Sequence, residues 1–206
     1  MNKIIFGWKI TFLLILSSVP MHALAKDYIE YGEISYSNFS IFAHQGEGVL
    51  DADFGGWIAR GSYALSDHFF VLGDYASQRT TDEINLGPSL ADRVQTKQGH
   101  LGLGFHTPIF HQTDFVISAQ YAVAIVEFLG DSDTSEGYLI DAGVRSTILD
   151  RWELALVSNY SSHLSQGDFG YSASARYFLR PELSVGLSFE SVFDVEAYGV
   201  VFRYDI

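Results

Sequence analysis

Asn159, Ser161, His163 and Ser165 recur at alternate positions of one stretch of this 206-residue chain. In an extended strand that spacing sets all four side chains on one face. A histidine there can take the proton of a neighbouring serine, and a third polar group can hold the imidazole in the right tautomer, which is the chemistry of nucleophilic hydrolysis. An ordinary polar rim would use the same residues. A second stretch, Asp131-x-Asp133-x-Ser135-Glu136, spaces oxygens like the opening of a calcium loop. It lacks the mid-loop glycine and the distal bidentate glutamate, so it reads as a solvated acidic loop. His44, His68, His100, His106, His111 and His163 are dispersed; His100 and His106 share one strand face but lie too far apart to chelate one ion together. With no cysteine, thiolate metal sites and cysteine nucleophiles are excluded. No cofactor is expected.

The larger body of chemistry-bearing residues is charged. Glu33, Arg60, Asp74, Asp141, Arg145, Glu153, Arg176, Glu190 and Arg203, with Gln120, Asn159 and Ser161, all fall on the polar face of alternating segments. Five acids and four arginines of mixed sign enclosed together must pair and hydrogen-bond to be tolerated, so they predict a cross-linked network that closes a lumen. Glu33, Arg60 and Asp74 are expected at one depth on consecutive strands, where loss of Arg60 would cost about 3 to 5 kcal/mol if the pair is well buried, and unchanged stability would mean a wet lumen and favour a pore. Gly102, Gly104, Gly143, Gly170, Gly186 and Gly199 share the polar face and leave room for arginine heads.

What must position these groups is a set of strands. Lys3 and Lys9 precede an apolar stretch, and Ala23-Leu24-Ala25 follows, so residues 1–25 read as a signal peptide and 26–206 as one domain. The apolar stretch is shorter than the roughly 20 residues of a spanning helix. Of 12 lysines and arginines, two leave with the leader, so 10 face 25 acidic residues and nucleic acid is an unsuitable partner. Beyond the leader, alternation predicts ten strands at 28–42, 52–65, 68–79, 94–107, 114–128, 136–149, 152–164, 169–179, 183–193 and 196–206. Long polar connections alternate with short turns, and no strand is expected to contain a proline. The fold class predicted is all-β: a closed antiparallel up-and-down transmembrane β-barrel of ten strands, or of eight if one hairpin is a folded loop. Phe115, Ile117, Ala119, Tyr121, Val123 and Ile125 of one strand, and Tyr138, Ile140, Ala142, Val144 and Ile148 of the next, are expected to form its lipid face. Trp57, Tyr75, Tyr138 and Tyr160 at one rim, with Phe69, Phe105, Trp152, Tyr177 and Tyr204 at the other, read as two aromatic girdles.

His163-Leu164-Ser165 resembles the His-x-Ser pair of outer-membrane phospholipase A and lipid A deacylase. Where those families place the orienting Asn or Glu, this sequence has Tyr177, and the parity of the pair faces the lumen. Over the whole mature length, Tyr63-Ala64-Leu65-Ser66-Asp67-His68-Phe69-Phe70, the run from Arg176 through Arg180-Pro181-Glu182 to Gly186, and the terminal Gly199-x-x-Phe202-x-Tyr204 resemble hairpins of the small OmpA-like and opacity-like outer-membrane β-barrel proteins of Gram-negative bacteria, the group often labelled porin-family. Eight strands are commoner there, and Ile206 stands where a terminal aromatic is usual. The resemblance implies residence in the bacterial outer membrane. It also implies that Tyr198, Val200, Phe202, Tyr204 and Ile206 form the signal read by the barrel-assembly machinery.

The function expected is a monomeric outer-membrane barrel of structural or surface-interaction role, not an enzyme, with its lumen closed by charge. The alternatives are a narrow diffusion pore and a lipid-active hydrolase. Its partners would be outer-membrane lipid and lipopolysaccharide. Acidic residues dominate the longer connections, so weak, non-stoichiometric association of divalent cations is expected, without binding of DNA or heparin.

Overall fold

The computed structural model describes residues 33–48, 52–87, 90–162, 167–192 and 195–206. Twelve strands follow in chain order: β1 (Asn38–Gly48), β2 (Ala52–Ala64), β3 (Phe69–Thr80), β4 (Ile84–Gly87), β5 (Leu90–Asp92), β6 (Gln95–Phe110), β7 (Thr113–Phe128), β8 (Asp131–Ile148), β9 (Trp152–Ser161), β10 (Asp168–Arg180), β11 (Leu183–Val192) and β12 (Val195–Asp205). Ten of them close into a barrel in which each strand pairs with its sequence neighbours and β1 pairs with β12; β4 and β5 form a small hairpin of their own. Every pairing is antiparallel, and the eight-strand alternative is excluded.

Alternation sets the wall. In β12, Phe202 is 54% exposed and Arg203 only 2%, because successive side chains point to opposite faces. Phe39 and Ile41, Leu101 and Leu103, Ile117 and Tyr121, Leu154 and Leu156, and Val200 and Phe202 all stand outward, giving a continuous apolar belt that suits lipid rather than water. Aromatic pairs flank it. Trp57–Tyr75 and Tyr138–Tyr160 lie toward the long hairpins, while Phe69–Phe105 and Trp152–Tyr177 lie at the turns of the opposite end, with ring centroids 5.2–5.9 Å apart.

Several expected boundaries change. The first strand begins at Asn38 rather than 28, because its register is set by β12 and β2: Phe39 faces Tyr204 on one side and Gly61 on the other. Gly46, beyond the expected strand end at 42, lies inside β1, where a Cβ would overlap the Glu196 carbonyl across the β1–β12 pair. The acidic segment 131–135 is strand, not loop. Leu129 and Gly130 take φ of 53° and 82° and turn the chain in two residues, so Phe128 pairs directly with Asp131. The connection between β3 and β6 carries the β4–β5 hairpin, and β6 continues through Pro108. That proline is tolerated because the register shifts between Pro108 and Phe110, where a missing N–H breaks no regular ladder. The leader, residues 28–32, Asp51, Pro88, His163, Ser165 and Asp194 lie outside the described residues.

β6, β7 and β8 have 16, 16 and 18 residues and rise above the rest of the wall. From Asp131 to Gly137, β8 pairs with β7 alone among the described residues, whereas its pairing with β9 begins at Leu139.

Candidate functional site

Inward-facing side chains gather in two layers. The lower layer is a floor near the chain's C-terminus, and Glu153 at its centre is fully buried. Three arginines from different strands converge on it. Arg145 of β8 donates to Oε2 at 3.0 Å and to Oε1 at 3.1 Å; Arg203 of β12 donates to both oxygens at 3.3 Å; and Arg176 of β10, the register partner of Glu153, donates to Oε1. Arg203 Nε also donates to Asp205 at 2.6 Å, and its Nη2 to the Ser35 carbonyl at 2.8 Å. Arg145 lies 4.8 Å from the centre of the Tyr36 ring. Tyr36 stacks on His106 at 3.6 Å and donates its hydroxyl to Asp114 at 2.9 Å, while His106 Nδ1 lies 3.1 Å from the same carboxylate. Three guanidinium groups thus surround Glu153, one of them also holding Asp205, while Asp114 is reached through Tyr36 and His106. The segment before β1 folds across this end and supplies both Tyr36 and the Ser35 carbonyl.

The upper layer is a vestibule. Arg60 of β2 reaches across the lumen to Glu190 of β11 at 2.7 Å. Asp74, the register neighbour of Arg60 on β3, lies 2.7 Å from His100 Nδ1 of β6. On the far wall, Asp141 accepts from Ser118 at 2.9 Å and from Gln120 Nε2 at 2.8 Å, and Asn159 is its register partner. Between the layers and the rim lies a cavity of about 970 Å³, extending from Arg145 and Arg203 up to Ile84, Val94 and Val195. Part of its lining is apolar: Phe42, Ile58, Ala76 and Val201 form a buried row across β1, β2, β3 and β12.

The nine charged residues singled out from the sequence are thus divided. Arg145, Glu153, Arg176 and Arg203 meet in the floor, and Arg60, Asp74, Asp141 and Glu190 line the vestibule. Glu33 belongs to neither; it precedes β1 and is exposed, whereas the depth of Arg60 is shared by Ser40 and Asp74. The Arg60 side chain is 44% exposed, so the expected cost of 3 to 5 kcal/mol for losing it does not apply to a pair this wet. Sequence reasoning missed Asp114, Asp205, Tyr36 and the histidine–carboxylate contacts. Strand parity already placed Asp205 beside Arg203 and the two histidines inward; Tyr36 gave no such signal, because it lies in the expected strand but outside the real one. Some of the inward glycines do make room. A Cβ at Gly186 would overlap the Arg176 side chain, and one at Gly104 the Phe70 ring.

Asn159 and Ser161 turn into the lumen and are buried there, away from lipid. In the segment 131–136, strand geometry projects Asp131 and Asp133 about 7 Å apart along a straight edge, where they cannot wrap an ion as a loop does. Among the described residues, no three His, Asp or Glu side chains are placed to hold a metal ion.

No family model matches the sequence, and no curated protein matches it. Among solved structures the chain is similar to the NanC porin, at 9% identity over 82% of this chain and all of that one, with a TM-score of 0.52. It is also similar to the KdgM porin (9% identity, 82% of this chain and 99% of that one, TM-score 0.42) and to the N-terminal β-barrel domain of Pseudomonas aeruginosa OprF (12%, 83% and 100%, TM-score 0.39). At such identities the likeness is one of fold, and the NanC superposition carries it. The chain has the closed ten-stranded fold of the outer-membrane β-barrels.

Proposed function

We propose that this protein is an integral outer-membrane β-barrel of structural or surface-interaction role, a cup whose lumen is sealed at one end. The observation that carries the reading is Glu153, fully buried beneath three arginines with Asp205 and Tyr36 beside them. Ions crossing this layer would have to displace charge pairs held at low dielectric, and the pairs are hydrogen-bonded on several sides. The apolar belt would sit in outer-membrane lipid and lipopolysaccharide of a Gram-negative bacterium, and the alternation of β12 would be read by the barrel-assembly machinery. Closure of β1 on β12 leaves no open edge in the wall, which suits a monomer.

A narrow pore is the second reading, favoured by the cavity and by the half-exposed Arg60 above the floor. Conductance of the purified barrel in a planar bilayer separates the two. A silent bilayer is expected, and Glu153→Gln should introduce flickering conductance as the floor loosens. Steady conductance from the unaltered protein would overturn the closed cup.

A further inference from the structure

The ion cluster of the floor shows the cavity above it one sign of charge. The side chains of Glu153 and Asp205 are at most 1% exposed, whereas those of Arg145 and Arg176 are each 13% exposed. Arg145, Arg176 and Arg203 line the cavity, and the carboxylates that hold them do not. The base of the cavity is therefore a cationic surface with its counter-charges behind it. Toward the mouth the balance reverses, because Asp74, Asp141, Asp168 and Glu190 line the wall there against Arg60 and Arg79. Asp141 stands four residues above Arg145 on β8, and Glu190 is the register partner of Ser172, four residues above Arg176 on β10. About 13 Å of strand thus separates each of these acids from the base.

The floor arginines differ in the donors they have left. Arg203 commits Nε to Asp205, Nη1 to Glu153 and Nη2 to the Ser35 carbonyl. Arg145 commits Nε to Glu153 and Nη2 to Glu153 and the Ser35 carbonyl, while Arg176 commits Nη2 to Glu153. Nη1 of Arg145 and Nη1 of Arg176 make no hydrogen bond among the described residues, and unlike the enclosed Nε of Arg176 they keep open surface. Both guanidinium groups hold the same oxygen of Glu153, so they lie side by side although they come from β8 and β10. Small inward residues leave room over them. Gly143 lies two residues above Arg145, Ala155 two above Glu153 and Ser174 two above Arg176, and Ala155 and Ser174 line the cavity.

A spare arginine donor at an open surface says little, because water takes it. Here two of them stand together at the inner end of a cavity, where Arg145 and Arg203 act on Arg176 with like charge and low-dielectric walls focus the field. Three arginines exceed Glu153 and Asp205 by one charge, which suits a monoanion. Guanidinium donors side by side match the paired oxygens of a carboxylate. We infer that the base of the cavity is a binding site for a small organic carboxylate. Its oxygens accept from Nη1 of Arg145 and Nη1 of Arg176, and its body occupies the space beside Ala155 and Ser174. The two arginines serve twice, holding Glu153 below and the ligand above. The site stands whether or not the floor conducts.

The test is calorimetry on the folded full-length barrel in zwitterionic nanodiscs, with three water-soluble probes of one size, lactate, lactamide and 1-aminopropan-2-ol, and with inorganic phosphate. Saturable one-to-one binding of lactate is expected, with the other three at least about tenfold weaker, as for loss of a charge-assisted hydrogen bond. Arg176→Lys, which keeps a cation on Glu153, should weaken lactate by a similar factor. Ser174→Leu fills the space over the arginines without touching the ion cluster and should abolish binding; it serves if Arg176→Lys does not fold. Heat-modifiable mobility reports folding of each variant. No binding of any probe, lactamide or the amine binding as tightly as lactate, phosphate binding as tightly as lactate, or a folded Ser174→Leu variant with parental affinity would each overturn the site. Conductance measured on the same preparation reports the floor separately.

Discussion

The floor and the vestibule are built from the same residue types on the same strands, yet they differ in balance and in water. In the floor, three arginines converge on Glu153, one of them also holds Asp205, Asp114 stands behind Tyr36 and His106, and Glu153, Arg203 and Asp205 are each at most 2% exposed. In the vestibule, one arginine meets three carboxylates, and its side chain remains 44% exposed. A charge layer can exclude water only when it is nearly neutral and its hydrogen bonds are nearly complete, because the desolvation cost of any unpaired ion is several kcal/mol. Where the balance fails, the space stays open and hydrated. Composition in one layer therefore makes a seal, and the same chemistry one layer higher makes a cavity.

The sharpest way to break this comparison is to remove the anion at the centre of the floor. Glu153→Gln leaves Arg145, Arg176 and Arg203 enclosed with Asp205 and Asp114 alone, and breaking a buried ion cluster in this way costs about 3 to 5 kcal/mol. Urea unfolding of the variant should shift to clearly lower denaturant. An unchanged midpoint would mean that the floor is as wet as the vestibule, and the two layers would not differ in kind.

Strand parity misplaces Glu33, which shares the odd parity of the outward Phe39 and Ile41 and lies before β1. Within a strand it separates lipid-facing from lumen-facing residues, since it depends only on the twofold period and not on where the strand begins. For that reason Phe202 and Arg203 fall on opposite faces as expected, although β1 starts ten residues later than its alternation suggests. Strand ends were legible only where a turn residue marks them. Pro181-Glu182 marks one, whereas the Leu129–Gly130 turn is signalled by a single glycine and Leu129 adopts a positive φ that its side chain disfavours. Division into layers was not legible at all. It depends on shear between strands, which brings Arg60 of β2 to Glu190 of β11 and separates both from Arg145, and no local pattern encodes that offset.

A second substitution tests the floor from the other side of the wall. Tyr204 and Ile206 point outward while Arg203 and Asp205, which alternate with them, point into the floor, so the same four residues serve lipid and lumen at once. Replacing Tyr204 and Ile206 with Asp sets two carboxylates on the lipid face near the boundary, where each costs up to about 1 kcal/mol, and also removes the outward aromatic at that end. Lower yield of heat-modifiable protein in the outer membrane is expected. Normal yield would show that β12 is neither the assembly signal nor constrained by lipid at its end.

The smallest effect is expected in the vestibule itself. Arg60 bridges the lumen to Glu190, but both side chains keep contact with the open cavity, at 44% and 21% exposure. A solvated pair of this kind contributes about 0 to 1 kcal/mol, because each ion retains hydration and gives up side-chain freedom to hold the bridge. Arg60→Ala should therefore leave the urea midpoint close to that of the parent, even though the substitution removes the vestibule's central cation. Raised salt should narrow what difference remains, since screening acts on wet charges within about 8 Å at physiological ionic strength. If Arg60→Ala instead loses as much stability as Glu153→Gln, the vestibule is a second sealed layer. The cavity above the floor would then not hold free water, and the contrast between the two regions would fail at its weaker side.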